Sequence, residues 1–246
     1  MLDRINRSFK ILKLTKKYFR ANQITQDDCI YSINGVKRKV YGEQALSMLL
    51  DIVSDDAYGL RRFNHLDNIV DIGANIGVFS LYASTLFPKA KVFAYEPAEQ
   101  SRLILQKNLI EDNIEINSYA VGNTKRKVIL HNPGDISACY ISLTKEDSSL
   151  ASQECELISL DEVAAKLEQK VNLLKLDCEG SEYEIMQTPS LEKFTYIVGE
   201  LHTCQDGNPE MGLKTLRSRG FKIDKWSPFP DLKAGVFWAS NEKCLN

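Results

Sequence analysis

From residue 68 onward, short apolar runs alternate with segments whose apolar positions recur at helical spacing. NIVDI at 68–72 is a continuous apolar run with a single acid, the pattern of a strand buried on both faces. IGVFSLYASTLF at 76–87 has helical periodicity and stops before Pro88, whose ring cannot continue a helix. The alternation continues with KVFAYE (strand, 91–96), AEQSRLILQKNLI (helix, 98–110) and IEINSYAV (strand, 114–121). It resumes with VNLLKLD (strand, 171–177), GSEYEIMQ (helix, 180–187), FTYIVGELH (strand, 194–202) and PEMGLKTLRSRG (helix, 209–220). FKIDKW (221–226) and AGVFWAS (234–240) follow without a helix between them. Such alternation predicts an α/β chain with a doubly wound, mostly parallel sheet and an antiparallel pair at one edge. Between these blocks the pattern is irregular, with a hairpin expected around KVILHNPGD (127–135) and a capping box, Ser159 with Glu162, opening a helix. Upstream, IYSINGVKRKVY (30–41) predicts a hairpin around Asn34-Gly35, and EQALSMLLDIV (43–53) a helix. We therefore expect an N-terminal extension over 1–54 and a main domain over 55–246.

Composition narrows the function more than the fold. The 246 residues are 43% hydrophobic and 26% charged, which suits a soluble globular protein with a sizeable core. A net charge of −2 argues against binding nucleic acid by phosphate neutralisation. Six scattered cysteines form no CxxC pair and three histidines accompany them, so neither a cysteine-rich zinc site nor a disulfide framework is expected. Reduced thiols point to the cytoplasm. The charge is uneven: residues 1–20 carry seven basic side chains against Asp3, a net of +6, which leaves −8 on the other 226 residues. Ile5, Phe9 and Leu12 share a helical face there, giving a basic amphipathic helix suited to peripheral contact with the inner face of an anionic membrane, or simply to packing on the main body.

Candidate chemistry begins where the first buried strand ends. In VDIGANIG (70–77), Gly73 lets the chain leave the strand by a sharp turn, and Gly77 allows close packing of the next helix. The spacing is neither the GxGxxG of dinucleotide sites nor a triphosphate loop, so the expected ligand is a nucleoside held without phosphate contacts. Glu96, 23 residues after Gly73 and ending the next strand, is placed to accept hydrogen bonds from both ribose hydroxyls. Asp71 is placed to accept from a ligand amine, directly or through water. These features suit S-adenosylmethionine, an adenosine bearing a cationic sulfonium and an amino acid.

VDIGANIGVFS, FAYEP, LLKLDCEGSEYEIM, GELH and WASN, in this order over about residues 55–241, resemble the FkbM-type family of S-adenosylmethionine-dependent methyltransferases. The resemblance implies a seven-stranded, Rossmann-like class I methyltransferase fold. It also implies O-methylation of a hydroxyl on a sugar, glycan or secondary-metabolite small molecule. It would place Asp71, Gly73, Asn75, Gly77 and Glu96 on the cofactor and residues near Ala120 on the adenine.

A second constellation gathers at two further strand ends. Lys175 and Asp177 share one face of their strand, with Glu179 and Glu182 in the turn beyond. A carboxylate at a helix start is favoured by the dipole, so a purely structural role is open to Glu179 and Glu182 alike and is the one expected for Glu182. Asp177 ends a buried strand facing the expected methyl group, and Glu200 and His202 end the neighbouring strand with matching parity. Methyl transfer needs an aligned acceptor oxygen and removal of its proton. His202 is therefore the expected general base, oriented by Asp177 or Glu200. A rival assignment makes Asp177, Glu200 and His202 ligands of a magnesium-type ion that activates the hydroxyl. A different class altogether, a non-catalytic binding or scaffold protein that kept the cofactor fold, is disfavoured by the intact acids. A nucleic-acid methyltransferase is disfavoured by the acidic body and the lack of an Asn/Asp-Pro-Pro-aromatic run. Tyr58 is expected near the cofactor or in a surface turn; Trp226, Phe229, Pro230 and Trp238 in the acceptor pocket or in packing; His65 and His131 at the surface.

Overall fold

A computed structural model describes residues 28–33, 36–110, 113–132, 139–142, 151–167, 171–231 and 233–244. The basic segment 1–20 and the Asn34-Gly35 step lie outside the described residues. The chain opens with the predicted hairpin, β1 (Asp28–Ile33) antiparallel to β2 (Val36–Tyr41). Helix α1 (Ala45–Met48) follows and widens into a π-helical turn, Leu49–Ser54. The main body continues through β3 (Asn68–Ile72), α2 (Val78–Leu86), β4 (Lys91–Tyr95), α3 (Glu99–Asn108), β5 (Ile114–Asn117) and β6 (Ala120–Gly122). Then come β7 (Arg126–Asn132), β8 (Tyr140–Ser142), β9 (Ala151–Ser159), α4 (Leu160–Ala164), β10 (Asn172–Leu176) and α5 (Glu182–Ile185). The chain closes with β11 (Tyr196–His202), α6 (Pro209–Ser218), β12 (Phe221–Pro228) and β13 (Ala234–Asn241).

Seven strands form the central sheet in the order β12-β13-β11-β10-β3-β4-β5. β3, β4, β5, β10 and β11 are parallel. β13 runs against β11, and β12 runs against β13. The expected antiparallel edge pair is thus one reversed strand, β13, set inside a β12 edge that again follows the sheet direction. From β3 the chain steps to β4 and β5 on one side and later to β10 and β11 on the other. The strand order therefore reverses between β3 and β10, where a crevice opens at the carboxyl ends.

β3 and β10 are buried at every position, which explains their unbroken apolar runs. Helix α2 is buried from Val78 to Ser84 because the sheet lies on one side and the π-helical turn with the hairpin on the other. Removing Phe79, Leu81 and Tyr82 from water contributes about 1.5–3 kcal/mol each. The hairpin is tied to this body by Asn108, which accepts from Tyr41 N (2.8 Å) and donates to Tyr41 O (3.0 Å) and Ile76 O (2.7 Å). Hairpin residues Cys29, Tyr31 and Val40 join the same hydrophobic cluster as α2.

The region expected to be irregular instead holds a second sheet, ordered β6-β9-β7-β8. The single strand expected over 114–121 divides between the two sheets, β5 staying in the first and β6 pairing with β9. His131, expected at the surface, is fully buried in this sheet, bonded through Nε2 to Ser142 Oγ (2.9 Å) and stacked on Tyr140. His65 is exposed as expected, beside Asp67. The capping box at Ser159 and Glu162 forms in both directions.

Candidate functional site

At the β3 end, the backbone of Gly73 has φ +77°, and a Cβ there would stand 1.8 Å from the carbonyl oxygen of Asp177. Only glycine allows the two strand ends to approach so closely. Lys175, on β10, locks the pair from below. Its Nζ donates to Gly73 O at 2.6 Å and lies 3.1 Å from Asp71 Oδ1 and 3.5 Å from Asp177 Oδ2. Burial alone would lower the ammonium pKa, but the Asp71 and Asp177 charges outweigh it and raise it. Asp71 itself is fully buried, accepting also from Ser80 Oγ at 2.7 Å. It stands behind the crevice wall and braces Lys175, rather than facing a ligand as the sequence suggested. Gly77 begins α2 with φ +88° and packs against Leu105 and Leu109, not against the sheet.

The crevice has a volume of about 330 Å³ and is lined by Gly73, Asn75, Glu96, Ala120, Asp177 and Glu200 among others. Asn75 takes the left-handed conformation (φ 49°), which turns its backbone N–H onto Glu96 Oε2 at 2.8 Å. Ala98 N donates to Glu96 Oε1 at 2.7 Å. Burial pushes the Glu96 carboxyl up to about 7 despite these bonds and the nearby Lys175 charge. Each carboxylate oxygen keeps a lone pair for a second donor. Tyr119, Ala120, Leu130 and Ile141 also line the crevice, a largely apolar set beside the Glu96 carboxylate. Gln44, Ser47, Met48 and Asp51 roof the crevice from α1 and its continuation. Nothing in their sequence beyond a helical period marked them as site residues.

Tyr58 reaches the same crevice. Its hydroxyl donates to Asp177 Oδ2 at 2.9 Å and lies 3.3 Å from Glu200 Oε1. Burial first, and then the Asp177 and Glu200 charges, raise its pKa well above the usual value, so it remains a donor. Trp238 holds the preceding loop by donating from Nε1 to Ala57 O at 2.8 Å, and Gly59 packs on its ring. Trp238 is therefore a loop anchor. Trp226 packs against the core, while Phe229 and Pro230 are exposed near the β12–β13 connection.

With the crevice described, the chain can be placed among known proteins. A family model, the methyltransferase FkbM domain, matches residues 71–223. The chain belongs to the FkbM methyltransferase family. The match runs from Asp71 through the Gly73 loop, Glu96 and Asp177 to β12. "Methyltransferase 1" of Beauveria bassiana is 26% identical to this FkbM chain over 260 aligned positions, covering 86% of the chain and 94% of that protein. "AMB antimetabolite synthetase AmbE" of Pseudomonas aeruginosa is 28% identical over 200 positions, covering 63% of the chain and 9% of that much longer protein. Among solved structures, Aeropyrum pernix fibrillarin with bound S-adenosyl-L-methionine shares 13% identity, covering 89% of this chain and 85% of that one, with a TM-score of 0.49.

In this FkbM methyltransferase the predicted catalytic trio does converge, and Asp177, Glu200 and His202 each offer one ligand-type atom within 4.8 Å of the others. The surroundings of His202 favour its protonated ring, against the general base expected from the sequence. Its Nδ1 lies 3.2 Å from Glu182 Oε1, and its Nε2 lies 3.5 Å from Glu200 and 3.8 Å from Glu179. Burial would lower its pKa, but hydrogen bonds to Glu182 and Glu200 and the Glu182 and Glu179 charges push it up to about 11. An imidazolium at neutral pH has no lone pair with which to take a proton or bind an ion. Within the trio Glu200 pairs with His202, while Asp177 pairs with Lys175. Glu182 is structural as expected: fully buried, it accepts from Cys178 N (3.0 Å) and Gly180 N (2.8 Å).

Glu179, one of the two helix-start carboxylates of the sequence reading, occupies a left-handed backbone conformation (φ 56°) that residues other than glycine rarely take. Its side chain faces the crevice, and burial first, followed by the Asp177, Glu182 and Glu200 charges against the opposing His202, pushes its carboxyl up to about 7.

Proposed function

We propose that this methyltransferase takes its methyl group from S-adenosylmethionine and delivers it to a hydroxyl of a glycan, sugar or secondary-metabolite acceptor. One observation carries the cofactor assignment: Glu96, buried at the β4 end with two backbone N–H donors fixing its oxygens, faces an apolar lining, and among the described residues no phosphate cradle stands beside it. A ribose diol fits the carboxylate and the adenine fits the lining by Ala120. The Gly73 turn lets the amino-acid portion approach backbone, and Asn75 Oδ1, buried without a hydrogen-bond partner, offers an acceptor for its ammonium. When bound, the cofactor supplies an electrophilic methyl on a cationic sulfur. The protein's part is to hold that cation beside Asp177 and Glu200, align the acceptor oxygen in line with it, and keep water out.

The test is calorimetric binding of S-adenosylhomocysteine, followed by mass spectrometry of a hydroxyl-compound library incubated with S-[methyl-d3]-adenosylmethionine. Binding with transfer of the labelled methyl to oxygen supports the proposal. Failure to bind at saturating ligand would favour a scaffold role. The same assay after exhaustive chelation decides the metal question, since activity restored by magnesium alone would return a cation to Asp177, Glu200 and a deprotonated His202.

A further inference from the structure

Tyr58 and the residue that anchors its loop, Trp238, both lie outside residues 71–223, the span matched by the family model. The crevice floor is thus completed from either side of that span. The loop itself is held at several points. Asp56 takes a left-handed backbone (φ 53°), and its carboxylate accepts from Leu60 N at 3.0 Å, Arg61 N at 3.2 Å and Tyr82 Oη at 3.2 Å. Gly59, also left-handed (φ +66°), leaves room for Trp238, whose ring a Cβ there would meet at 2.7 Å. Left-handed backbone at a residue other than glycine is costly and persists only where the surroundings over-determine it. What this bracing delivers is a single oxygen. The Tyr58 ring, 3% exposed, meets Phe79 edge-on with 5.4 Å between centroids, and a phenylalanine would pack there as well. The hydroxyl is the part that packing does not require.

That hydroxyl stands between the ends of β10 and β11. It donates to Asp177 Oδ2 at 2.9 Å and is 3.3 Å from Glu200 Oε1. Lys175 Nζ approaches the same Asp177 oxygen at 3.5 Å. Both contacts fall on Oδ2, which leaves the acceptor capacity of Oδ1 to a ligand in the crevice that Asp177 lines. The lysine contact is longer than the about 2.7–2.9 Å of a close ammonium–carboxylate bond. Coulomb attraction draws the two together and would pull the carboxylate down toward the buried ammonium. The tyrosine bond opposes that pull. We propose that Tyr58 is a positioning residue of the cofactor site: its hydroxyl holds Asp177 off Lys175 and beside Glu200, so that the carboxylate meets the cationic sulfur of S-adenosylmethionine. The inference rests on the cofactor assignment proposed above. In this role Tyr58 touches neither the sulfur nor the methyl group; it acts through Asp177.

Calorimetric titration of the full chain with S-adenosylmethionine and with S-adenosylhomocysteine, which lacks the charge on sulfur, tests this without an acceptor. Tyr58→Phe should weaken S-adenosylmethionine binding roughly tenfold and S-adenosylhomocysteine binding by less than about twofold. Asp177→Asn should show the same selective loss, and Tyr58→Phe/Asp177→Asn should lose no more than Asp177→Asn alone. A tyrosine that merely stabilised the fold would weaken both ligands alike, and its effect would add to that of Asp177→Asn. If thermal melting finds Tyr58→Phe unfolded, Trp238→Phe carries the test, since it loses the Nε1 bond to Ala57 O and loosens the same loop. That variant too should lose S-adenosylmethionine affinity selectively. An unchanged affinity ratio, or additive losses in the double variant, would overturn the assignment of Tyr58. Failure of the wild type to bind either ligand would instead overturn the cofactor assignment beneath it.

Discussion

Replacing Glu96 by Gln tests the cofactor site with little change of shape. The carboxylate accepts from Asn75 N at 2.8 Å and Ala98 N at 2.7 Å, one bond to each oxygen. A glutamine keeps one acceptor and turns an NH2 toward the other backbone donor, leaving a buried N–H unsatisfied at a cost of about 1–3 kcal/mol. It also removes one charge-assisted bond from the ribose, a loss of about 1.5–3 kcal/mol, or roughly ten- to a hundredfold and more in affinity. Magnitude alone would not separate this from a general loosening; pH dependence does. The Glu96 carboxyl is pushed up to about 7 by burial, and a diol that donates to it favours the ionised form. S-adenosylhomocysteine affinity of the wild type should therefore rise as pH climbs to about 7 and level off above it. In Glu96→Gln the affinity should be weaker and lack that step. Calorimetric titrations from about pH 5 to about pH 9 measure both quantities. An unchanged affinity in the variant, or the same pH step retained, would refute the placement of Glu96 on the ribose.

Further outcomes follow from the same geometry. Gly73→Ala adds about 1–2 kcal/mol of left-handed strain and about 1–3 kcal/mol for displacing the Asp177 carbonyl; it should lower the urea midpoint and abolish S-adenosylhomocysteine binding, and a fully binding variant would count against the close contact. Lys175→Met strands the fully buried Asp71 and should cost about 3–5 kcal/mol in chemical denaturation, with much of it recovered in Asp71→Asn/Lys175→Met. The ligand-free protein should lose stability as pH rises: an acid whose folded pKa exceeds its unfolded one favours the fold fully below about 4.5 and loses that contribution as pH passes about 7. For Glu96 this amounts to roughly 3 kcal/mol, and thermal melting across that window should show a falling midpoint that S-adenosylhomocysteine largely restores.

The central sheet was legible because parallel strands covered on both faces must be apolar at each position, as NIVDI is. The small sheet was not, although β9 carried a signal. Glu154, Cys155, Glu156 and Leu157 alternate, and the structure buries Cys155 and Leu157 while exposing the two acids. Its partners are short or distant in sequence, which hid the pairing. Glu96, the Gly73 turn and the convergence of Asp177 with Glu200 could be located because strand ends follow from strand register. The charge state of His202 could not. Its carboxylate neighbours come from the turn after β10, from α5 and from β11, and only their juxtaposition favours the protonated ring. Glu179 was legible only as a carboxylate at a helix start: a left-handed backbone at a glutamate beside Gly180 is set by the packed turn and has no sequence signature.

The lysine beneath the glycine turn has a bearing on how such enzymes diversify. Because one ammonium ties the β3 exit to the β10 exit, a shift of either shelf would drag the other out of place. Sequence change is then easier to accommodate away from these two exits, as on the small sheet, whose strands pair among themselves.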